Sequence, residues 1–215
     1  MERAEVVSGL FAEYEAFAEL ISRLSPEEWR APTRCERWQV RDVAGHVVGT
    51  AVDVSSRAVG SRTPEEQARA LRDERPAELA DRLRAAADRV RPFFTALSEE
   101  AWGGPSPAAD RSLGNGVLTL LYDTFVHADD IRTALGRPAD RGTGLEASLH
   151  WIREELERRG WGPARIALDG VDERSIGSGG PVLRGDPLRF VLAATGRVGP
   201  AEFGVDETLN IYSLR

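Results

Sequence analysis

Apolar side chains recur at helical spacing through the first part of the chain. Residues 4–24 carry them every three or four positions, a pattern typical of an amphipathic helix. The same periodicity predicts three further long helices, at 40–59, 77–97 and 118–135. Four long helices joined by connections of uneven length favour a four-helix bundle, which we place at residues 1–138.

The pattern changes after Pro138. One more helix is predicted at 145–159, and short apolar runs between glycine and proline turns predict strands at 165–168, 182–184 and 208–212. Residues 188–195 fit either a helix or a buried strand, and Pro187 at their start favours the helix. Residues 139–215 therefore predict a small α+β domain, and the fold class of the whole chain is α+β.

The composition excludes several classes of partner. Hydrophobic residues make up 41% of the 215, as in soluble globular proteins, and the net charge is -7. All 28 basic residues are arginines interleaved with acids, which argues against a nucleic-acid partner. Neither a transmembrane stretch nor a secretory signal is recognisable, and the single Cys35 fits a reducing compartment. We therefore expect a cytoplasmic protein, a monomer or homodimer, without a membrane partner.

Three polar side chains on the predicted bundle helices have the chemistry of a metal site. Asp123 and His127 are four residues apart, so they share one helical face, and His46 lies in the middle of another helix. Helices that face each other in a bundle can bring the three side chains together. Imidazole and carboxylate suit Zn²⁺, and three protein ligands leave one position open. From spacing alone, ordinary polar positions remain the alternative.

Two segments resemble signatures of a known family. Residues 29–46 contain Thr-x-Cys-x-x-Trp-x-Val-x-Asp-x-x-x-His, and residues 123–132 contain an acid four residues before His127, followed by Asp130-Ile131-Arg132. These patterns resemble the DinB-like, mycothiol-dependent maleylpyruvate isomerase family. The resemblance implies a DinB-like bundle with metal ligands at His46, Asp123 and His127, and mycothiol as thiol cosubstrate.

The resemblance extends into the second part of the chain. Gly185-Asp186-Pro187 and Gly196-Arg197 are similar to the family's C-terminal domain, which is itself similar to sterol-carrier modules. It implies that Arg197 faces the active site and binds a substrate carboxylate, which the guanidinium fork suits well. A solvated arginine is the alternative at this position.

The sequence departs from the family at one ligand. The family usually has Glu where this chain has Asp123, so either the backbone approaches by roughly 1–1.5 Å or the shorter carboxylate binds differently. Zn²⁺ is the expected metal, with Ni²⁺ or Fe²⁺ as alternatives. Asp42, one turn before His46, could accept the second imidazole N–H from outside the ligand shell, or could simply favour the helix start.

Three functions follow from these observations. The leading hypothesis is a metal-dependent enzyme that uses mycothiol for cis-trans isomerisation or thiol transfer on a small carboxylate substrate. The second is a metal-dependent hydrolase or other secondary-metabolic enzyme that uses bound water instead of a thiol. The third is a non-catalytic protein that binds a small ligand, an alternative that the unusual Asp123 favours.

Overall fold

The computed structural model describes residues 1–106 and 111–213. The chain forms two compact units, Met1–Asp140 and Arg141–Arg215, while the boundary predicted after residue 138 stays a prediction. The first unit consists of helices: α1 Arg3–Ser22, α2 Pro26–Trp29, α3 Val40–Ser55, α4 Pro64–Ala70, α5 Pro76–Ala96, α6 Glu99–Gly103 and α7 Leu113–Ala134. Across the described ranges, no helix has the length and apolar character needed to cross a bilayer.

Four helices of the first unit form the predicted bundle. Each of α1, α3, α5 and α7 packs against two others, in the order α1, α5, α3, α7 and back to α1. Their inward faces carry large, fully buried side chains, among them Leu10, Phe17, Leu79, Leu83, Leu121 and Phe125. The adjacency of α3 and α7 matters most here, because these helices carry the predicted metal ligands.

Side-chain caps fix where several helices begin. The hydroxyls of Ser25 and Thr63 accept from the backbone N–H three residues on, and a proline follows each. Helix α7 begins five residues before the predicted position 118, because Ser112 caps it by accepting from Asn115 N at 3.0 Å. The predicted loop at 103–116 therefore contains the first turn of α7, and its residues 107–110 lie outside the described ranges.

The second unit contains one long helix, α8 Thr143–Arg158, and a small sheet. Its strands are β1 Ala164–Leu168, β2 Arg174–Ile176 and β3 Val182–Gly185, in the order β2–β1–β3. Strand β1 pairs antiparallel with β2 and parallel with β3, and helix α9 Pro187–Ala194 follows. The α+β fold class is confirmed, and Pro187 with the capping Asp186 makes the ambiguous segment a helix.

The strand predicted at 208–212 is wrong. The chain forms a short 3₁₀ turn, Glu207–Leu209, followed by an irregular segment. Asp206 accepts from the backbone N–H of Thr208 at 3.0 Å, and Asn210 accepts from that of Tyr212 at 2.9 Å. These local side-chain bonds occupy N–H groups that a sheet would need. Strand β2, in turn, was not predicted, because its three residues are too short for an alternating pattern.

Glu13 is a buried acid inside the bundle. The residue is 6% exposed, and its Oε1 has no hydrogen-bond partner within the described part of the chain. Burial raises the pKa of Glu13 from 4.5 to about 7; nearby Arg132 opposes the rise and Asp140 adds to it. The folded state therefore binds a proton more tightly at Glu13 than the unfolded chain does.

We predict that Glu13→Gln stabilises the protein only at higher pH. The cost of ionising Glu13 in the folded state is absent below pH 4.5 and fully present above pH 7, since the folded pKa is the raised one. The variant should raise the free energy of unfolding by roughly 1–3 kcal/mol above neutral pH. Urea denaturation at both ends of this range measures the difference. Glu15→Gln is the control. Glu15 is an exposed residue on the same helix as Glu13 and pairs with Arg84, and its replacement should bring no such gain.

Candidate metal centre

Helices α3 and α7 bring the three predicted ligand side chains together. Asp123 Oδ2 lies 3.4 Å from His46 Nε2, and Asp123 Oδ1 lies 3.6 Å from His127 Nε2. One donor atom from each residue lies within 4.8 Å of the other two. Both histidines are buried, while Asp123 is 26% exposed and opens the cluster to solvent. The side chains thus converge as expected; their role as metal ligands stays a prediction.

The outer nitrogen of His46 is held by a glutamine from α4. His46 Nδ1 lies 2.8 Å from Gln67 Oε1. The Gln67 amide nitrogen donates to Asp53 Oδ2 at 2.8 Å, and Arg62 Nε donates to the same carboxylate at 3.0 Å. Because an amide oxygen only accepts, this contact is a hydrogen bond when the Nδ1 of His46 carries the proton. Its Nε2 then presents a lone pair toward Asp123 unless a second proton binds there.

The outer nitrogen of His127 is held by a carboxylate. His127 Nδ1 lies 2.9 Å from Asp130 Oδ2, and Asp130 is fully buried. Arg34 donates to Asp130 Oδ1 at 2.6 Å and also pairs with Asp129, while the Cys35 thiol donates to Asp130 Oδ2 at 3.1 Å. This carboxylate–histidine arrangement is common behind metal ligands and again leaves Nε2 as the inward donor.

The donor set fits a divalent metal. Two Nε2 lone pairs and a carboxylate face one another across 3.4 and 3.6 Å, so the cluster requires positive charge between its members. Ligands on a tetrahedral zinc ion are about 3.3 Å apart, given its bond lengths. Burial lowers the pKa of His46, but the negative charge of Asp123 and the hydrogen bonds that Asp123 and Gln67 accept outweigh it, so the pKa of His46 lies above its usual value. A cation is therefore favoured at this point.

A second group of potential ligands fits a metal less well. Cys35, His127 and Asp130 also offer donor atoms close to one another. The charge of Asp130 is already compensated by Arg34, and His127 Nδ1 donates its proton to that carboxylate. A metal there would have to displace both. We therefore place the candidate site on the Nε2 side of His127.

Trp38 forms a wall of the cluster. The centroid of its ring system lies 5.4 Å from that of His46 and 6.2 Å from that of His127, and the two imidazoles are 5.1 Å apart and nearly perpendicular. From the sequence alone, Trp38 is expected to have a structural role, packing the start of the helix that carries His46. Its place in the first signature, eight residues before His46, is the signal that could have pointed to it.

Two glycines of α3 allow α4 to approach the site. A Cβ at Gly49 would lie 2.7 Å from Gln67 Cβ, and one at Gly45 would lie 3.0 Å from the carbonyl oxygen of Ala68. Larger residues at these positions would push α4 away. Gln67 reaches His46 because both positions are glycine; this pair of small residues four apart indicates a close helix contact but does not identify Gln67.

Asp42 does not support His46. Its Oδ2 accepts from the backbone N–H of Gln39 at 2.9 Å, and its Oδ1 pairs with Arg72 at 3.2 Å. The outer partner of His46 is Gln67, so the proposed role of Asp42 outside the ligand shell is corrected. The physical reason is its position in the first turn of α3, where unbonded backbone N–H groups attract a carboxylate.

Arg197 lies in the second unit, directly after α9. Its backbone N–H donates to the carbonyl of Leu192 at 2.8 Å, and its Nη1 to that of Thr195 at 3.5 Å. Gly196, with φ of +71°, makes the tight turn between helix and arginine. His150, the remaining histidine, pairs with Glu154 on α8. A role of Arg197 in binding substrate stays a prediction.

The chain combines a four-helix bundle, which contains the His/Asp/His cluster, with a small α+β unit. This combination is the basis for comparing it with known protein families. A family model described as the mycothiol maleylpyruvate isomerase N-terminal domain matches residues 10–132. The chain belongs to this family, which confirms both the resemblance seen in the sequence and the interpretation of the chain as an enzyme.

Solved structures agree with this fold. The chain is similar to the crystal structure of the mycothiol-dependent maleylpyruvate isomerase and to that of a histidine-to-alanine mutant of it. In each case the identity is 16%, the TM-score is 0.66, and the match covers 92% of this chain and 90% of the other. No curated protein matches the chain.

Proposed function

We propose that this protein is a metal-dependent enzyme of the maleylpyruvate isomerase type, with mycothiol as thiol cosubstrate and a small unsaturated carboxylate as substrate. The observation that carries the proposal is the convergence of His46, Asp123 and His127, with both Nδ1 atoms bonded outside the cluster. Family membership supports the thiol and the substrate class. The metal we propose is Zn²⁺, which accepts two imidazoles and a carboxylate and keeps a position open.

The proposed reaction needs no oxidant or reductant. A thiolate adds to the conjugated carbon–carbon double bond, the resulting single bond rotates, and the thiolate leaves to give the trans isomer. A bound divalent metal supplies the acidity that makes a thiol ionise near neutral pH, and the thiolate is the competent nucleophile. The thiol is regenerated in every cycle, so the reaction consumes only the cis isomer.

The side chains around the cluster divide this work. His46, Asp123 and His127 would hold the metal, and the Trp38 ring lies beside both imidazoles. The chain's single cysteine, Cys35, hydrogen-bonds to Asp130 at the Nδ1 edge of His127, away from Nε2. The attacking sulfur therefore comes from the cosubstrate, not from the chain.

Asp123 in place of the family's usual Glu is compatible with this proposal. Each of its carboxylate oxygens faces a different imidazole, at 3.4 and 3.6 Å. The shorter side chain thus already reaches both nitrogens from its position on α7. This geometry favours a metal-binding protein over a bundle that has lost its ligands.

We predict that the purified, metal-free protein binds about one Zn²⁺ per chain. Because His46 is one of only three protein ligands, His46→Ala should abolish tight binding, whereas His150→Ala, a histidine paired with Glu154 in the second unit, should not. Isothermal titration with a competing chelator measures both affinities. Equal zinc affinity in His46→Ala and the parent protein would contradict the assignment.

We predict that the zinc-loaded protein converts maleylpyruvate to its trans isomer only when mycothiol is present. The absorbance of the conjugated keto acid follows the reaction directly. Turnover that persists without any thiol would instead support the hydrolase alternative, in which bound water is the nucleophile. Binding of the substrate without turnover under either condition would support a ligand-binding protein.

We predict that Arg197→Ala lowers kcat/KM by about 10- to 100-fold, the value of one charge-assisted hydrogen bond. Support comes from the resemblance of Gly196-Arg197 to the family pattern. Arg197→Lys should recover only part of the loss, since an ammonium lacks the guanidinium fork. Arg189→Ala is the matched control, an exposed arginine of the same unit paired with Glu202. Steady-state kinetics with equal effects in the two alanine variants would refute the role.

A further inference from the structure

We propose that Gln67 and Asp130 are positioning residues: they fix the tautomers of His46 and His127 so that both Nε2 lone pairs face the metal point. The inference rests on the proposed metal centre and adds two residues outside its ligand set. Neutral imidazole carries its proton on either nitrogen, and only the Nδ1–H form offers Nε2 as a ligand. What selects that form is the acceptor placed at Nδ1.

Gln67 can act only as an acceptor toward His46. Its amide nitrogen is committed to Asp53 at 2.8 Å, which turns Oε1 toward the imidazole. The Thr50 hydroxyl donates to the same Oε1 at 3.1 Å. A rotation of the amide by half a turn would lose the bond to Asp53 and place the amide oxygen against that carboxylate. Gln67 is therefore locked in the orientation that requires Nδ1–H.

Asp130 is the acceptor at Nδ1 of His127, and unlike Gln67 it is a carboxylate. The residue is fully buried, and Arg34 holds its Oδ1 at 2.6 Å while Oδ2 accepts from His127 at 2.9 Å. Arg34 also pairs with Asp129, so the loop before α3 is fastened to α7 through two carboxylates. This fastening spans 96 residues of sequence and sets where Asp130 points.

The two acceptors are not equivalent. The amide of Gln67 is neutral, whereas Asp130 is anionic and strengthens the electron donation of the imidazole it holds. An arginine–carboxylate pair holds each outer partner in place. Gln67 donates to Asp53, which pairs with Arg62, and Asp130 itself pairs with Arg34. The tautomers are therefore built into the metal-free fold and do not depend on metal binding.

The test uses the metal-free full chain and long-range ¹H–¹⁵N NMR of its three histidines at a pH where all are neutral. His46 and His127 should both show the Nδ1–H tautomer. His150 is an internal reference of opposite kind, since its Nε2 lies 3.1 Å from Glu154 and should show the Nε2–H tautomer. Finding the Nε2–H tautomer at His46 or His127 would overturn the proposal whether or not the protein binds zinc.

Variants then separate positioning from general damage. Gln67→Met removes the acceptor at similar volume and should shift the tautomer of His46 alone; Asp130→Asn should shift that of His127. Each should lower zinc affinity by about 10- to 100-fold. Thr50→Val is the matched control, because it removes a bond to Gln67 Oε1 but leaves that acceptor facing His46. It should change neither the tautomer nor the affinity.

Two results distinguish this inference from the proposed function. Nδ1–H tautomers in a protein that ignores zinc would refute the metal centre and leave the positioning role standing. Zinc binding that Gln67→Met does not weaken, with the His46 tautomer unchanged, would refute the positioning role and leave the metal centre standing. If Gln67→Met does not fold, the spectrum of the parent protein and the Asp130→Asn variant still decide.

Discussion

Two imidazole nitrogens and one carboxylate face each other inside the bundle, and this local excess of lone pairs constrains everything around it. Asp123 lies 3.4 Å from one nitrogen and 3.6 Å from the other, within a cluster whose histidines are buried. Buried groups of this kind are stable only with a compensating positive charge, either protons or a metal. The arrangement therefore favours a cation at this point, and the packing of α3 against α7 positions the three side chains.

The bundle holds the site through close approaches that lie outside the ligands. Gly45 and Gly49 let α4 lie against α3, which places Gln67 at His46. On the other side, Arg34 fastens the preceding loop to α7 and keeps Asp130 against His127. Side chains in a packed interior cannot shift independently. A different rotamer of Gln67 or Asp130 would therefore reorient the histidine that it contacts.

The sequence predicted the parts of this site that have a repeating signal. Helical periodicity gave four bundle helices, and the spacing of Asp123 and His127 placed both on one face. The resemblance added His46. Gln67 and the pairing of Arg34 with Asp130 could not be predicted, because hydrogen bonds between distant segments leave no periodic trace. For Asp42 the sequence left two roles open, and proximity to His46 could not decide between them; the carboxylate accepts from the backbone at the start of α3.

The same local competition explains the error in the second unit. Residues 208–212 have the apolar alternation of a strand, yet the side chains of Asp206 and Asn210 bond to the backbone there. Such bonds cost little conformational entropy, whereas a strand must be brought to a distant partner. A pattern based on hydrophobicity alone does not register this difference.

Buried carboxylates link the stability of the bundle to the geometry of its site. Asp53, Asp129 and Asp130 are each at most 5% exposed, and an unpaired buried charge would cost several kcal/mol. Arg34 and Arg62 compensate these three acids and at the same time orient the acceptors of both imidazoles. Replacing the acids by apolar residues would often be tolerated by a fold, but it would release the histidines from their tautomers. The buried aspartates therefore destabilise the fold to some extent, and in return they orient the Nε2 atoms of both histidines toward Asp123.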